Sequence, residues 1–291
     1  MLKFYVLVSG NRFALKRHEN TIPIEDMVIV INTKDQLFEQ DAVEYCTSNG
    51  IEHYVTESDG TPSKGKNSLL DLFEASQNDY AVMVDGDDII TEYGVLYYKK
   101  LAASTNAPDA VALKNQVGFN IGLIHYSSSN PGFETNKHGD VNPDSVHPRK
   151  WYPFKQKNVL EDCVESLPVG CTQRTWAEYC LKYIGSNETH HRITFISKKA
   201  ASMYRFNELV IGEDTCMYLD YYDAHRRGAL NLVFHNEEKN PTYQYDSRVS
   251  GIVEKKNAEA RQKGEIPDWL GKLVEKYKEY EQLGKLWATG S

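Results

Sequence analysis

The sequence predicts an α/β chain whose N-terminal region is doubly wound, and three observations carry that expectation. Short apolar runs alternate with amphipathic stretches through the first third, as strands joined by helices do. Each of the first four runs ends in polar residues, which is where an open α/β sheet places its ligand. The same rhythm of strand-like and helix-like stretches resumes after residue 191.

Taken in order, the strand-like runs are Leu2 to Val8, Met27 to Ile31, Ile51 to Val55 and Tyr80 to Val84. Between them lie a helix-like Asp35 to Ser48, closed by a turn at Asn49-Gly50, and Lys66 to Ser76, where Leu69, Leu70, Leu72 and Phe73 share a helical face. The region from Pro108 to Ser186 is less regular and rich in rings, among them Tyr126, Phe133, Trp151, Tyr152, Phe154 and Trp176. A strand over Arg192 to Ile196, a helix over Asp214 to Arg226 and a strand over Leu230 to Phe234 follow. From Val253 the chain is charged and helical. Leu270, Leu273, Val274, Tyr277, Leu283 and Trp287 form a stripe on a terminal helix beginning near Pro267, which predicts a helical appendage over 253–291.

Composition narrows the class. At 41% hydrophobic and 25% charged residues, the chain has the make-up of a globular protein, and 33 basic against 41 acidic residues gives 33 − 41 = −8. That surplus argues against a protein that coats nucleic acid or membrane non-specifically. No apolar run approaches the roughly 20 residues needed to cross a bilayer, and no secretion signal is evident, so the expected setting is cytoplasmic, a host cytoplasm if the chain is viral. The five cysteines, Cys46, Cys163, Cys171, Cys180 and Cys216, form no close pair and are expected to be reduced and mostly buried.

The strand ends read Ser9-Gly10-Asn11, Asn32-Thr33-Lys34, Glu57-Ser58-Asp59-Gly60 and Asp85-Gly86-Asp87-Asp88. In the last of these, carboxylates at i and i+2 of a strand point to one side, and the intervening glycine lets backbone approach a ligand closely. Two hard oxygen ligands suit a divalent ion that also binds phosphates. By itself such a triplet also describes a turn with solvated acids.

Three stretches carry a resemblance. Ser63 to Ile90, "SKGKNSLLDLFEASQNDYAVMVDGDDII", is similar to the stretch of family 2 glycosyltransferases in which a basic residue and Asn open a helix and a strand delivers an Asp-x-Asp-Asp run. Gly212-Glu213-Asp214, opening a helix, resembles their Glu-Asp motif, and "YQYDSRVSGI" over Tyr243 to Ile252 resembles the Tyr-rich segment that closes many of their catalytic domains. The resemblance covers roughly residues 3 to 252. It implies a GT-A fold, a Rossmann-like mixed sheet flanked by helices, forming a catalytic domain over 1–252 with an aromatic and basic acceptor-region insert at about 125–186.

The resemblance further implies a nucleotide-sugar donor, first of all a UDP-sugar, a Mn²⁺ or Mg²⁺ cofactor, and transfer of one sugar with inversion at the anomeric carbon. Asp85 would sit near the donor ribose or metal, Asp87 would be the metal ligand, and Asp214 would be the general base, with Glu213 placing the acceptor. Capping of its own helix is the other role open to Asp214. Ser9, Gly10 and Asn11 stand where family members contact the nucleobase, although a tight turn explains them nearly as well. Lys64, Lys66 and Asn67 stand where donor phosphate or base is met, or are plain loop cations. His235 stands where some GT-A enzymes supply a third metal ligand, with a surface or core histidine as the alternative.

Two departures matter. Family members often end the second strand in an acid that reads the base, whereas here Asn32 and Thr33 stand there. The Gln-x-x-Arg-Trp of processive members has only Gln244-Tyr245-Asp246-Ser247-Arg248-Val249 as counterpart. The least family-like segment, "HPRKWYPFKQKN" over His147 to Asn158, interleaves Arg149 and Lys150 with Trp151 and Tyr152 and points to an acceptor site. Cations among rings suit a saccharide or, as second choice, a displaced hydroxymethylated base in phage DNA, with a protein or small-molecule acceptor, or a plain buried hairpin with snorkelling lysines, as the alternatives. Two rivals stand beside this reading: a haloacid-dehalogenase-like phosphatase, whose paired aspartates follow a first strand, and a non-catalytic GT-A-like module that binds sugar or nucleotide.

Overall fold

The computed structural model describes residues 1–10, 15, 17–114, 117–119, 154–155, 169, 192–209, 212–237 and 240–246. The strands are β1 Leu2–Val8, β2 Met27–Asn32, β3 Glu52–Thr56, β4 Tyr80–Asp85, β5 Ile89–Ile90, β6 Ala110–Lys114, β7 Val117–Phe119, β8 Phe154–Lys155, β9 Arg192–Ser197, β10 Leu232–Asn236 and β11 Tyr243–Asp246. The helices are α1 Gln36–Ser48, α2 Pro62–Ala75, α3 Glu92–Ala102, α4 Lys198–Met203 and α5 Glu213–Arg226.

A seven-stranded sheet in the order β10-β6-β9-β4-β1-β2-β3 forms the centre. β1 pairs in parallel with β2 and β4, β2 with β3, and β6 with β10, while β9 runs antiparallel to both β4 and β6. The mixed α/β sheet expected from the sequence is present, and β9 is what makes it mixed. Side chains alternate across it, as the two-residue period of a strand requires. Tyr5, Val28, Val30, Ala81 and Met83 face one core with Leu70 and Phe73 of α2 and Met217 and Tyr221 of α5. Phe4, Val6, Ile29, Ile31, Val82 and Val84 face the other, with Phe38 of α1 and Tyr98 of α3. Helices therefore cover both faces.

Element boundaries follow local chemistry. α2 begins at Pro62, four residues before the expected Lys66, because Thr61 Oγ1 accepts from the Lys64 N–H at 3.3 Å and Pro62 fits a first turn that lacks hydrogen-bond partners. Asp35 caps α1 by accepting from Leu37 and Phe38 at 3.0 and 3.2 Å. β10 begins at Leu232 rather than Leu230, since the exit from α5 continues through Gly228, at φ 71°, to an Ala229 N–H that bonds back to Ala224 at 2.9 Å.

A second sheet of four strands, β5-β11-β7-β8, is not foreseen in the sequence. It pairs Tyr243 with Ile90 and Gln244 with Ile89, so the Tyr-rich segment lies antiparallel beside the residues that follow the acidic run. Cys46 and Cys216 are buried, as expected, and the other three cysteines lie outside the described residues. The predicted appendage over 253–291 and most of the 125–186 insert also lie outside them. Among the described residues, no helix is long and apolar enough to cross a membrane.

Candidate functional site

The acidic run ends β4, the fourth strand of the chain and the third position inward from the β3 edge of the sheet. Its two ends are treated differently by the fold. Asp87 is exposed at the tip, Asp85 is partly buried and Asp88 is 1% exposed. A carboxylate this deep needs a partner, and Arg192, the first residue of β9, supplies it. Its Nη2 is 2.7 Å from Asp85 Oδ2 and its Nη1 is 3.2 Å from Asp88 Oδ2. The planar fork of the guanidinium lets one residue serve both acids.

Tyr243 completes the anchorage. Its hydroxyl donates to Asp88 Oδ2 at 2.5 Å and accepts from the Asp85 N–H at 3.2 Å, and the Arg192 guanidinium lies 4.7 Å over its ring. Neither Arg192 nor Tyr243 is assigned a site role by motif reading. The available signals are weak: a lone arginine opening a strand-like run, and the first tyrosine of the Tyr-rich segment.

The second acidic element approaches from α5. Gly212 takes the N-cap position at φ 87°, a left-handed conformation that glycine adopts without strain, and no side chain caps the helix. Asp214 is the second residue of α5 and so lies inside the helix rather than at its cap position. Its Oδ1 instead accepts from Lys66 Nζ at 2.7 Å, and Glu213 Oε1 accepts from the same ammonium at 2.8 Å. Lys66 Nζ also lies 3.8 Å from Asp85 Oδ2, and Arg192 Nη1 lies 4.0 Å from Asp214 Oδ2. The two acidic elements, far apart in the chain, thus meet across two cations.

Charge states follow from these contacts. Burial alone would raise the Asp85 carboxyl, but Arg192 and Lys66 overcome it and hold the group down at about 2. Asp88 is pushed well above the usual carboxylate range by burial and by the neighbouring charge of Asp87, with Arg192 opposing. Burial also raises Glu213, against the pull of Lys66. Burial would lower the Lys66 ammonium, yet Asp214, Asp85 and Glu213 together keep it charged, above the ordinary lysine range.

The other candidates sort by distance from this cluster. Asn67 spends both ends of its amide on the backbone of Phe206, at 3.0 and 2.8 Å, and so fastens α2 rather than facing the cluster. Lys64 is exposed on the first turn of α2. Asn32 is buried and donates to Thr56 Oγ1 and the Glu57 carbonyl, both at 2.9 Å, clamping β2 to β3. Ser9 and Gly10 are exposed after β1, with the Ser9 carbonyl accepting from the Thr33 hydroxyl at 2.7 Å.

His235 is not brought to the acids. It sits on β10, three strand spacings or about 14 Å from β4, with its ring 4.5 Å from that of Tyr97 and Nε2 2.8 Å from the Asn240 carbonyl. Asn11, Arg149, Lys150, Trp151 and Tyr152 lie outside the described residues.

Beside the cluster, the carboxyl ends of β2 and β3 open into a cleft of about 410 Å³ lined by Thr33, Lys34, Gln36, Glu39, Val55, Thr56, Glu57 and Ser58. Among the described residues, no group of three or more metal-ligating side chains is gathered. Of the two acids expected at a metal, Asp87 is exposed, whereas Asp85 Oδ2 already meets Lys66 and Arg192.

No family model and no curated protein matches the chain in sequence. Solved structures of similar fold include S. aureus TarS, at 14% identity over 84% of this chain and 36% of that one, with a TM-score of 0.46. S. aureus TarS 1-349 in complex with UDP-GlcNAc matches at 15% identity over 86% of this chain and 60% of that one, with a TM-score of 0.45. The mannosyltransferase PcManGT from Pyrobaculum calidifontis, in complex with GDP-Man and Mn²⁺, matches at 9% identity over 99% of this chain and 71% of that one, with a TM-score of 0.47. The chain spans little more than a third of the full TarS structure and 60% of its 1-349 form.

Proposed function

We propose that the chain is a glycosyltransferase that moves one sugar from a nucleotide-sugar donor to an acceptor hydroxyl, with inversion at the anomeric carbon. The observation that carries this reading is the meeting of Asp85 and Asp214 about one ammonium, Lys66, which sets a donor-side acid and an acceptor-side acid around a single space. An inverting transfer needs that division, because the leaving diphosphate and the attacking hydroxyl lie on opposite faces of the sugar and ask for opposite help.

In this reading the nucleobase takes the cleft at the ends of β2 and β3, and the diphosphate lies over the end of β4. Asp87 would hold a Mg²⁺ or Mn²⁺ ion, which when bound supplies charge neutralisation to the diphosphate. Asp214 takes the proton of the acceptor hydroxyl. The acceptor oxygen forms its bond to the anomeric carbon as the bond from that carbon to the diphosphate breaks, and the electron pair leaves on the nucleoside diphosphate. Glu213, buried against Lys66, holds the first turn of α5 in place. A saccharide acceptor is favoured over DNA, since a net charge of −8 opposes a polyanion.

The test is Asp214→Asn. Loss of a general base lowers turnover by about 10² to 10⁴-fold, and affinity for the nucleotide-sugar should be undiminished. Candidate donors are found first by thermal shift, since a ligand that binds the fold raises its midpoint. An Asp214→Asn protein that transfers sugar at the parent rate would refute the assignment. Stabilisation by phosphomonoesters but by no nucleotide would turn the reading toward a phosphatase.

A further inference from the structure

Lys66 and Arg192 are the two cations among these acids, and they are held in different ways. Arg192 is fixed from three sides, by Asp85, Asp88 and the face of Tyr243. Lys66 reaches its partners on a flexible four-carbon stem, with a phenyl ring, that of Phe206, 5.3 Å from its ammonium. The three protons of that ammonium are divided between acids on both sides of the site, two contacts on α5 and a longer one to β4. Asp214 is the less buried of the two α5 acids, at 33% side-chain exposure against 9%, so its carboxylate faces the open space while its Oδ1 is occupied by Lys66.

Lys66 Nζ ties Asp214 Oδ1 at 2.7 Å and Arg192 Nη1 stands 4.0 Å from Oδ2, so each oxygen of the carboxylate faces a cation. The arrangement therefore has a consequence for the order of events. A diphosphate arriving over the end of β4 brings more negative charge than Asp214 carries, on the side where Lys66 already leans toward Asp85. The ammonium gains by turning to it, and Arg192 remains behind to neutralise Asp85.

We propose that Lys66 is a donor-operated latch on Asp214: it holds the carboxylate in an ion pair until a donor diphosphate draws the ammonium away, so that the acceptor base is released only when a donor is in place. This rests on the reading of the site as a nucleotide-sugar transferase and adds to it a part for Lys66, the contact through which the donor side of the site acts on the base. By linkage the coupling is reciprocal, and removal of the Asp214 charge should tighten diphosphate binding.

The experiment follows the side-chain ammonium of Lys66 by ¹H–¹⁵N NMR in the full chain, where a buried, ion-paired lysine protects its protons well enough to be seen, and assigns the signal with Lys66→Arg. UDP, GDP and inorganic pyrophosphate are added with Mg²⁺, and uridine serves as the probe without phosphates. The expected result is that a diphosphate moves the Lys66 signal with the same half-saturation as the backbone amides at the end of β4, whereas uridine leaves it in place.

Lys66→Met should weaken diphosphate binding roughly tenfold or more, the worth of one hydrogen bond to a charged group. Asp214→Asn, which keeps the shape of the side chain, should bind the same diphosphate several-fold more tightly. A diphosphate that saturates the amides while the Lys66 signal stays put overturns the latch and leaves the transferase reading standing. So does a free protein in which no protected Lys66 signal exists. If none of the diphosphates perturbs any amide, the transferase reading itself fails and the latch with it.

Discussion

Along one edge of the main sheet, the end of β4 and the ends of β2 and β3 are built in contrasting ways. After β4, buried carboxylates are held by a buried arginine, a buried tyrosine and a lysine from a neighbouring helix. After β2 and β3, an internal clamp of Asn32 on Thr56 and Glu57 supports a shallow cleft of mostly neutral and exposed side chains. The first arrangement sets the electrostatics of a charged group and tolerates little change, because each ion inside it is compensated by another. The second offers shape and hydrogen bonds at small energetic cost. Chemistry is expected at the former and recognition at the latter, and the contrast can be broken by substitutions that should differ widely in effect.

The largest effect is expected at Arg192. Replacing it by Met leaves Asp85 and Asp88 without their guanidinium, and the loss of one partner from a buried pair costs about 3–5 kcal/mol. Urea denaturation should show a midpoint shift of that size with an unchanged slope. Arg192→Lys should recover only part of it, since a single ammonium cannot span two carboxylates in a plane. An Arg192→Met protein as stable as the parent would mean that water or another residue carries the compensation.

Much of this architecture was legible in the sequence, and the exceptions have a common cause. β1, β2 and β4 announce themselves as apolar runs because each is buried on both faces, and α1 does so through Asp35 and its apolar face. The acidic elements at Asp85 and Asp214 were readable because local spacing, strand end or helix start, sets their direction. Arg192, Tyr243 and the small sheet were not, since their meaning lies in partners more than a hundred residues away in the chain. His235 shows the converse: it lies within β10 rather than after a strand, and strand order, which no local pattern encodes, sets it apart from Asp85 and Asp87.

The support beneath Tyr243 gives the next two effects. Glu237 is fully buried and accepts from the Thr242 and Tyr243 N–H groups and the Thr242 hydroxyl. Burial pushes its carboxyl up to about 7 despite those bonds. Because the folded state then holds a proton that the unfolded chain releases near 4.5, stability is fully present below that pH and is lost as the pH rises to 7. The loss amounts to about 3 kcal/mol. Glu237→Gln keeps an acceptor oxygen for the Thr242 and Tyr243 N–H groups and carries no titrating proton. Its melting temperature should therefore be flatter than that of the parent across this window, and parallel pH profiles would remove Glu237 from the account.

Gly94, on α3, meets the same segment from the other side. A methyl group there would lie 2.2 Å from the Thr242 carbonyl oxygen, so Gly94→Ala must push α3 and the β11 segment apart. About 1–3 kcal/mol is the usual cost of such overpacking. A melting temperature unchanged from the parent would show that the segment has room to move.

At the cleft the expected stability effect is smallest and the functional effect is specific. Glu57 and Lys34 are exposed side chains lining the cleft at the carboxyl ends of β2 and β3, and exposed substitutions of this kind usually change stability by less than about 0.5 kcal/mol. Glu57→Gln and Lys34→Met should therefore unfold with the parent, yet alter the ratio of UDP to GDP affinity, measured by titration calorimetry, by about threefold or more, the scale of one hydrogen bond gained or lost to a base edge. The change should fall on the base and leave pyrophosphate binding untouched, because the diphosphate is assigned to the end of β4. If either variant weakens pyrophosphate as much as it weakens UDP, the separation of recognition from chemistry along this edge is wrong, and the cleft belongs to the same electrostatic unit as the acids.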